Sequence, residues 1–223
     1  MLPLHPTVLV TGFDPFDRAD INPSWLAAGA LHGRQIARHR IVAARLPTAF
    51  GSSAQQLASL VALHRPALVL CLGLAAGRTG LSLERVAITE DDARIPDNSG
   101  AQPIDSPVVP GGPDAYFARL PLKVMLLAIR GAGIPVELSN SAGTYVCNHV
   151  FYALMHLLTT RRGQLRTRGG FIHLPCLPDQ ATALGAGAGM ALEDMVRGLQ
   201  AAIRAALSHT GRRDATLAAG STE

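Results

Sequence analysis

The sequence is poor in aromatic residues and in lysine, and it has no long apolar run. Aromatic residues make up 4% of the chain, Lys123 is its single lysine, and the net charge is +4. Nucleic-acid binders commonly combine basic residues with aromatic rings, but the densest basic segment, residues 161–168, contains no aromatic residue. The longest apolar run, residues 66–77, is shorter than the roughly 20 residues of a membrane helix. We therefore expect neither a nucleic-acid partner nor a membrane partner.

Cysteine is also scarce, and the common metal and nucleotide motifs are absent. An odd count of three cysteines, with no basic leader before the first apolar run, argues against a disulfide framework and favours a cytoplasmic location. The chain contains no CxxC pair, no HExxH motif and no GxxxxGK[ST] loop. GAGAG at 185–189 follows no predicted strand, so it lacks the context of a dinucleotide site. We expect no metal site and no cofactor.

The chain does have abundant apolar residues, arranged as short runs that alternate with helical patterns. Hydrophobic residues make up 48% of the 223 positions, enough for one domain with a sizeable core. Strands are predicted at 7–12, 40–47, 67–73, 81–88, 134–140 and 170–175, and helices from Pro23 and at 50–64, 121–133, 146–158 and 191–207. This order predicts an α/β fold, a single α/β/α domain over residues 1–223 whose mostly parallel, twisted sheet is covered by helices on both faces.

Two segments fall outside that pattern. Residues 90–113 are rich in Pro, Gly, Asp and Asn, and a loop of this length inside a compact domain is usually functional or partly disordered. Residues from about 208 to 223 are mostly small and polar, so we expect a flexible tail.

Cys147 is the candidate nucleophile. It follows the turn SNSAGTYV, between a predicted strand and a predicted helix, and so stands in the first helical turn. Unpaired N–H groups and the positive end of the helix dipole stabilise a thiolate at such a position. The alternative is a buried cysteine packed beside Val146 and Val150. Cys71, inside an apolar strand, and Cys176, between two prolines, are weaker candidates.

His173 is the candidate base. It ends a predicted buried strand, and in parallel sheets functional groups gather at the carboxyl ends of strands, where Cys147 should also lie. The alternative is a hydrogen-bonded structural histidine. His149 lies two residues after Cys147, which is about 200 degrees around a helix, so it should point away from the thiol.

Glu84 is a carboxylate within an otherwise apolar strand, LSLERVAI. A buried charge needs a partner or a task. One task is to orient an imidazole and stabilise its protonated form, as an aspartate does in serine proteases. The alternative is an ion pair with an arginine, such as Arg85 or Arg78.

Four segments resemble the type I pyroglutamyl peptidase family of cysteine peptidases. They are VLVTGFDPF (8–16) with NPSW (22–25), ERVAI (84–88) with DARIPDNSG (92–100), SNSAGTYVCN (139–148), and GFIHLPCLPDQ (170–180). AYFARLPLK (115–123) fits between them, and the resemblance spans about residues 7 to 200.

The resemblance implies roles for individual residues. It implies a catalytic triad of Glu84, Cys147 and His173, with Arg94 contributing to the oxyanion site. The substrate-binding residues expected on this basis are Phe13, Phe16, Asn22, Leu74, Ile95 and Val146. The implied reaction removes an N-terminal pyroglutamyl residue from peptides through a thioester. The implied protein is an intracellular α/β/α domain without a cofactor, assembled as a tetramer or dimer.

The chain departs from the family pattern at two places. Leu74 stands where family members often have a glutamine that helps to hold the lactam, and Asp17-Arg18 stand where small glycines are usual. Two other functions therefore stay open. One is a hydrolase or amidohydrolase that uses the same triad on another acyl group, and the other is a small-molecule binder with an unreactive Cys147.

Overall fold

A mixed β-sheet forms the centre of the computed structural model, which describes residues 6–17, 19–160, 166–209, 211 and 213–220. The strands are β1 (Thr7–Phe13), β2 (Gln35–Ile36), β3 (His39–Leu46), β4 (Leu68–Leu74), β5 (Leu81–Glu84), β6 (Val86–Ile88), β7 (Ala115–Phe117), β8 (Val136–Ser139) and β9 (Arg168–Leu174). The helices are α1 (Pro23–Leu31), α2 (Ser52–His64), α3 (Leu122–Gly131), α4 (Val146–Thr160), α5 (Pro178–Leu184) and α6 (Leu192–Ser208).

The strand order in the described residues is β2-β3-β1-β4-β9-β5-β8, with β6 and β7 forming a separate hairpin. Strands β3, β1, β4 and β9 run parallel to one another. β5 is antiparallel to β9 and parallel to β8, and the short β2 is antiparallel to β3. The prediction of an α/β fold with a mostly parallel sheet is confirmed.

Helices cover both faces of this sheet. Val8 and Val10 of β1 pack into a core with residues of α1, α3 and α6, whereas Leu9, between them, packs with residues of α2 and α4. Successive side chains of a strand point to opposite faces, so a strand covered on both sides is apolar throughout. This is why β1 and β4 are visible in the sequence as unbroken apolar runs.

The segment predicted as one strand at 81–88 is divided between two sheets, which corrects that prediction. Arg85 is the junction: its backbone N–H donates to Ser139 O at 2.9 Å, and its carbonyl accepts from the Ala118 N–H at 2.9 Å. β5 therefore stays in the central sheet while β6 pairs with β7. The sequence also did not predict β2, β7 and α5, which are too short to show a period.

The two irregular segments also acquire contacts. Residues 90–113 contain no helix or named strand, as predicted, apart from an isolated bridge between Asp91 and Ser106. Near the C-terminus, the Asp214 carboxylate accepts from the backbone N–H groups of Lys123 and Val124 at 2.8 and 3.0 Å, so it caps α3. Thus part of the predicted tail is bound to the domain. No described helix is both long and apolar enough to cross a membrane.

Candidate active site

Two strands and one helix bring the predicted triad together. Cys147 is the second residue of α4, and His173 is the last but one residue of β9. Antiparallel pairing places Ser82 of β5 opposite His173, so Glu84 lies on the same face of the sheet and one diagonal away. A glutamate side chain is long enough to bridge that diagonal. The parallel-sheet rule that located His173 therefore does not explain Glu84, which reaches the site because β5 runs the other way.

Glu84 and His173 form a buried hydrogen-bonded pair. His173 Nδ1 lies 2.8 Å from Glu84 Oε1, and 4% of His173 and none of Glu84 is exposed. A carboxylate can only accept, so Nδ1 carries the proton and Nε2 is left as the basic atom. His173 and Cys147 line the same cavity. The geometry is therefore that of a base oriented by a carboxylate and facing the cavity that holds the thiol.

Arg78 holds the same carboxylate. Its Nη1 lies 2.6 Å from Glu84 Oε1, while its Nη2 donates to Ser139 Oγ and to Ser141 O, each at 3.2 Å. Both suggestions for Glu84 are thus realised at once, since one oxygen serves the imidazole and the guanidinium. The other suggested partner, Arg85, does not contact Glu84 but donates to Asn140 at 3.4 Å.

The ionisation of Cys147 differs from the expectation. Burial, together with the nearby Glu84 carboxylate, raises the pKa of the Cys147 thiol to about 12, although the Arg78 guanidinium acts in the opposite direction. The sequence predicted a thiolate stabilised by the helix N-terminus, whereas the raised pKa favours the neutral thiol, because burial disfavours the charged form. The resting sulfur is a neutral thiol, so attack requires a base.

The cavity beside Cys147 has a volume of about 260 Å³ and is mainly apolar. Its lining residues are Phe13, Phe16, Asn22, Thr48, Leu74, Ala75, Arg78, Ala142, Gly143, Tyr145, Val146, Cys147 and His173. A cavity of this character accepts a small neutral group and disfavours a charged one, which would lose its hydration.

Most of the predicted site residues meet at this cavity. The members drawn from the prediction are Phe13, Phe16, Asn22, Leu74, Val146, Cys147 and His173. Arg94 is exposed and Ile95 half-buried, and neither is among the lining residues. Both had been assigned by resemblance alone.

The sequence did not single out Thr48 and Tyr145, which also line the cavity. Tyr145 could have been found, because an aromatic residue directly before Val146-Cys147 must lie near the start of α4. Thr48 follows the end of β3, and its side chain donates to Asp14 O at 2.8 Å. A threonine in a connecting segment carries no comparable signal.

The two departures from the family pattern have structural counterparts. Asn22 is the N-cap of α1: its Oδ1 accepts from the Ser24 N–H at 3.1 Å, and its Nδ2 donates to Asp14 O at 2.9 Å. The Asn22 amide is thus partly engaged, with one of the two Nδ2 hydrogens used by Asp14 O. Asp17 has φ of 50°, a left-handed conformation that favours glycine. Arg18 lies outside the described residues.

The other cysteines lie in packed surroundings. Cys71 is fully buried in β4, and burial raises its pKa to about 12. Cys176 is 1% exposed, and its sulfur lies 3.9 Å from Ala76 O. No group of three or more His, Cys, Asp or Glu side chains in the described residues could hold a metal ion.

Comparison with known proteins identifies the family. The family model for pyroglutamyl peptidase matches residues 6–209. The chain is 52% identical to the pyrrolidone-carboxylate peptidase of Cupriavidus necator over 202 residues, covering 91% of this chain and 93% of that one. The corresponding protein of Erwinia tasmaniensis is 50% identical over 215 residues, covering 96% and 98%. The crystal structure of pyroglutamyl peptidase I from Bacillus amyloliquefaciens superimposes with a TM-score of 0.90 at 39% identity, covering 96% and 100%. Together with the cavity and its cysteine, these matches show that the chain belongs to the pyroglutamyl peptidase family of cysteine peptidases.

Proposed function

We propose that the protein removes an N-terminal pyroglutamyl residue from peptides, with Cys147 as the nucleophile. The observation that carries the proposal is the buried Glu84–His173 pair beside an apolar cavity that also contains Cys147. In a chain that belongs to the pyroglutamyl peptidase family, this arrangement supports acyl transfer to sulfur. Because Cys147 lines the cavity, the pyroglutamyl acyl group would occupy the cavity and the leaving peptide would extend out of it.

In the proposed mechanism, His173 Nε2 takes the proton from the Cys147 thiol as the sulfur attacks the pyroglutamyl carbonyl. Because the raised pKa of the thiol disfavours a resting thiolate, the imidazole is needed to remove this proton. The protonated imidazole then gives the proton to the leaving amine, and a thioester remains on Cys147. Water, deprotonated by the same imidazole, hydrolyses the thioester and restores the thiol. Glu84 stabilises the imidazolium in both steps.

The developing oxyanion has two proposed donors. The backbone N–H of Cys147 lies in the first turn of α4, where N–H groups have no partner within the helix. Arg94 is the second, on the basis of the resemblance. If it contributes, Arg94→Ala should lower kcat by about 10²-fold, the effect of losing one oxyanion donor in a known protease. An unchanged kcat would assign this role to the Cys147 N–H without Arg94.

The cavity would select the pyroglutamyl group by the shape of its ring and by its lack of charge. Pyroglutamate is a five-membered lactam without a free amine, and Phe13 and Phe16 line the cavity proposed to hold its ring. A glutaminyl or prolyl group has a similar size but carries a charged amine, which is costly to remove from water.

The test is hydrolysis of three chromogenic amides, pyroglutamyl, prolyl and glutaminyl, by the purified protein with a reducing agent. We expect kcat/KM to be much higher for the pyroglutamyl amide. Similar values for the pyroglutamyl and prolyl amides would overturn the lactam cavity, even if Cys147 were catalytic. Loss of activity on alkylation, together with no activity in Cys147→Ser, would tie turnover to this sulfur.

A second candidate function is hydrolysis of another acyl amide by the same triad. Leu74 in the cavity favours it, because an apolar side chain at this position reduces the polar contacts available to a lactam. A screen of blocked aminoacyl amides separates the two candidates.

The family resemblance also supports two further parts of the proposal. The protein would form a homo-oligomer, either a tetramer or a dimer, and it would be located in the cytoplasm. Light scattering of the purified protein measures the first.

A further inference from the structure

A second buried histidine–carboxylate pair lies on the other side of α4 from the triad. His149 Nδ1 is 2.7 Å from Asp91 Oδ2, and the two residues are 7% and 5% exposed. The opposite ring nitrogen, Nε2, accepts from the backbone N–H of Gly51 at 3.0 Å. Since that N–H can only donate, the proton of the neutral ring must be on Nδ1, where it is donated to Asp91. Both ring nitrogens are therefore engaged in one defined orientation.

This pair joins three segments of the chain that are distant in sequence. His149 is on α4, Asp91 is in the loop 90–113, and Gly51 directly precedes α2. Gly51 has φ of 68°, and α2 begins without a side-chain cap. The turn before α2 is thus held from outside by His149. Burying two ionisable side chains is costly unless they are paired and hydrogen-bonded, as these two are. The proposed mechanism uses neither His149 nor Asp91.

A chain of aromatic contacts leads from this pair to the cavity. Phe50 directly precedes Gly51. Its ring lies edge-on to the rings of His149 and Tyr145, with distances between ring centroids of 5.5 and 5.4 Å. Tyr145 in turn lies 6.1 Å from Phe16. Tyr145 and Phe16 both line the cavity. The position of Phe50 therefore affects the wall that faces the acyl group.

Tyr145 is also anchored at its far end, where its hydroxyl donates to Pro96 O at 3.1 Å. The backbone N–H of Phe50 donates to Asp97 at 2.7 Å, which ties the same turn to the same loop. The part of the cavity wall that contains Tyr145 is thus contacted by two loops, and the hydrogen bond between His149 and Gly51 connects one of them to helix α4.

We propose that His149 and Asp91 are positioning residues for the acyl cavity, acting through Gly51 and Phe50 on Tyr145. This inference rests on the proposed function only in that the acyl group occupies the cavity. It predicts that loss of the pair weakens binding of the acyl ring while leaving the chemistry of Cys147 unchanged. A purely structural pair would instead lower stability without altering ring binding.

The test uses His149→Phe, with His156→Phe as its matched control. His156 is on the same helix and is also hydrogen-bonded, to the Tyr116 hydroxyl at 2.9 Å, but it does not line the cavity. Three quantities are measured: KM and kcat for a pyroglutamyl amide, Ki for 2-pyrrolidone, and the rate of Cys147 alkylation by iodoacetamide. 2-Pyrrolidone presents the lactam ring without the exocyclic amide that the proposed reaction cleaves.

We expect His149→Phe to raise KM and the Ki of 2-pyrrolidone together by about threefold to tenfold, with the loss of one hydrogen bond as the upper limit. kcat and the alkylation rate should change by less than about twofold, and His156→Phe should resemble the wild type. His149→Gln, whose amide oxygen can still accept from Gly51, should recover part of the affinity. Phe50→Leu keeps the polar pair intact and should raise KM and Ki in the same direction, so it tests the link even if His149→Phe folds poorly.

Unchanged KM and Ki in both His149→Phe and Phe50→Leu would overturn the inference. So would an equal rise in His156→Phe, which would assign the effect to packing of α4 in general. A wild-type protein that cleaves no pyroglutamyl amide would refute the proposed function instead, and that result is seen before any variant is made.

Discussion

The substitution Gly73→Ala tests the position of the nucleophile directly. Gly73 is in β4, and a Cβ added there would lie 2.7 Å from Cys147 Sγ and 2.7 Å from Phe171 Cζ. The backbone of Gly73 is not in the left-handed region, so alanine is permitted there apart from these contacts. The nearest atoms to the added methyl group therefore belong to the sulfur and to the Phe171 ring.

The size of the effect follows from these distances. Favourable contacts between heavy atoms are about 3.5–4.0 Å long, so both the sulfur and the ring must move away from the new Cβ by about 1 Å. Phe171 is confined by Phe13, Phe151 and His173, whose ring centroids lie 6.5, 5.9 and 4.8 Å from its own. The sulfur borders the cavity and can move more easily. A displacement of about 1 Å at a reacting atom costs on the order of 10²-fold in rate, and the crowding costs about 1–3 kcal/mol of stability.

The assay is kcat/KM for a pyroglutamyl amide together with the thermal unfolding midpoint. Gly169→Ala is the matched control, because its Cβ would lie 2.7 Å from Leu158 Cδ1 and 3.1 Å from Leu154 Cδ2, far from Cys147 along α4. We expect both variants to lose stability but only Gly73→Ala to lose about 10²-fold in kcat/KM. Wild-type activity in Gly73→Ala, or an equal loss in Gly169→Ala, would refute the placement of the sulfur against β4.

The remaining predictions concern the triad and the cavity. Cys147→Ser should abolish turnover without changing the circular dichroism spectrum, while Cys176→Ala keeps most activity; the reverse pattern would transfer the nucleophile to Cys176. Glu84→Gln should retain more turnover than His173→Ala, because the imidazole moves the protons and the carboxylate only stabilises it; a fully active His173→Ala would remove the triad. Since the pKa of the Cys147 thiol is raised to about 12, its alkylation rate should increase with pH throughout the range from 7 to 10; a plateau near pH 8 would contradict that pKa. Leu74→Gln should lower KM for the pyroglutamyl amide through one recovered hydrogen bond, worth about 0.5–1.5 kcal/mol; an unchanged KM would mean that the lactam does not contact this position.

Position along the chain was enough to locate Cys147 and His173. One follows a strand–turn–helix junction, and the other ends an apolar strand, so both signals lie within a few residues of the group they identify. Glu84 was recognised as a charge in an apolar strand, but its two suggested roles could not be separated. That decision needed the antiparallel pairing of β5 with β9, and it showed the carboxylate serving His173 and Arg78 together.

The sequence by itself determined the alternation of strands and helices, the parallel core of the sheet and the family, because apolar periodicity and long motifs are local properties of the chain. Only the tertiary structure decided the direction of β5, the raised pKa of Cys147, the lining by Thr48 and Tyr145, and the pairing of His149 with Asp91. Each of these depends on which distant segments are neighbours and on how much water they exclude. Strand pairing and desolvation are set by the whole fold, and a window of sequence contains neither.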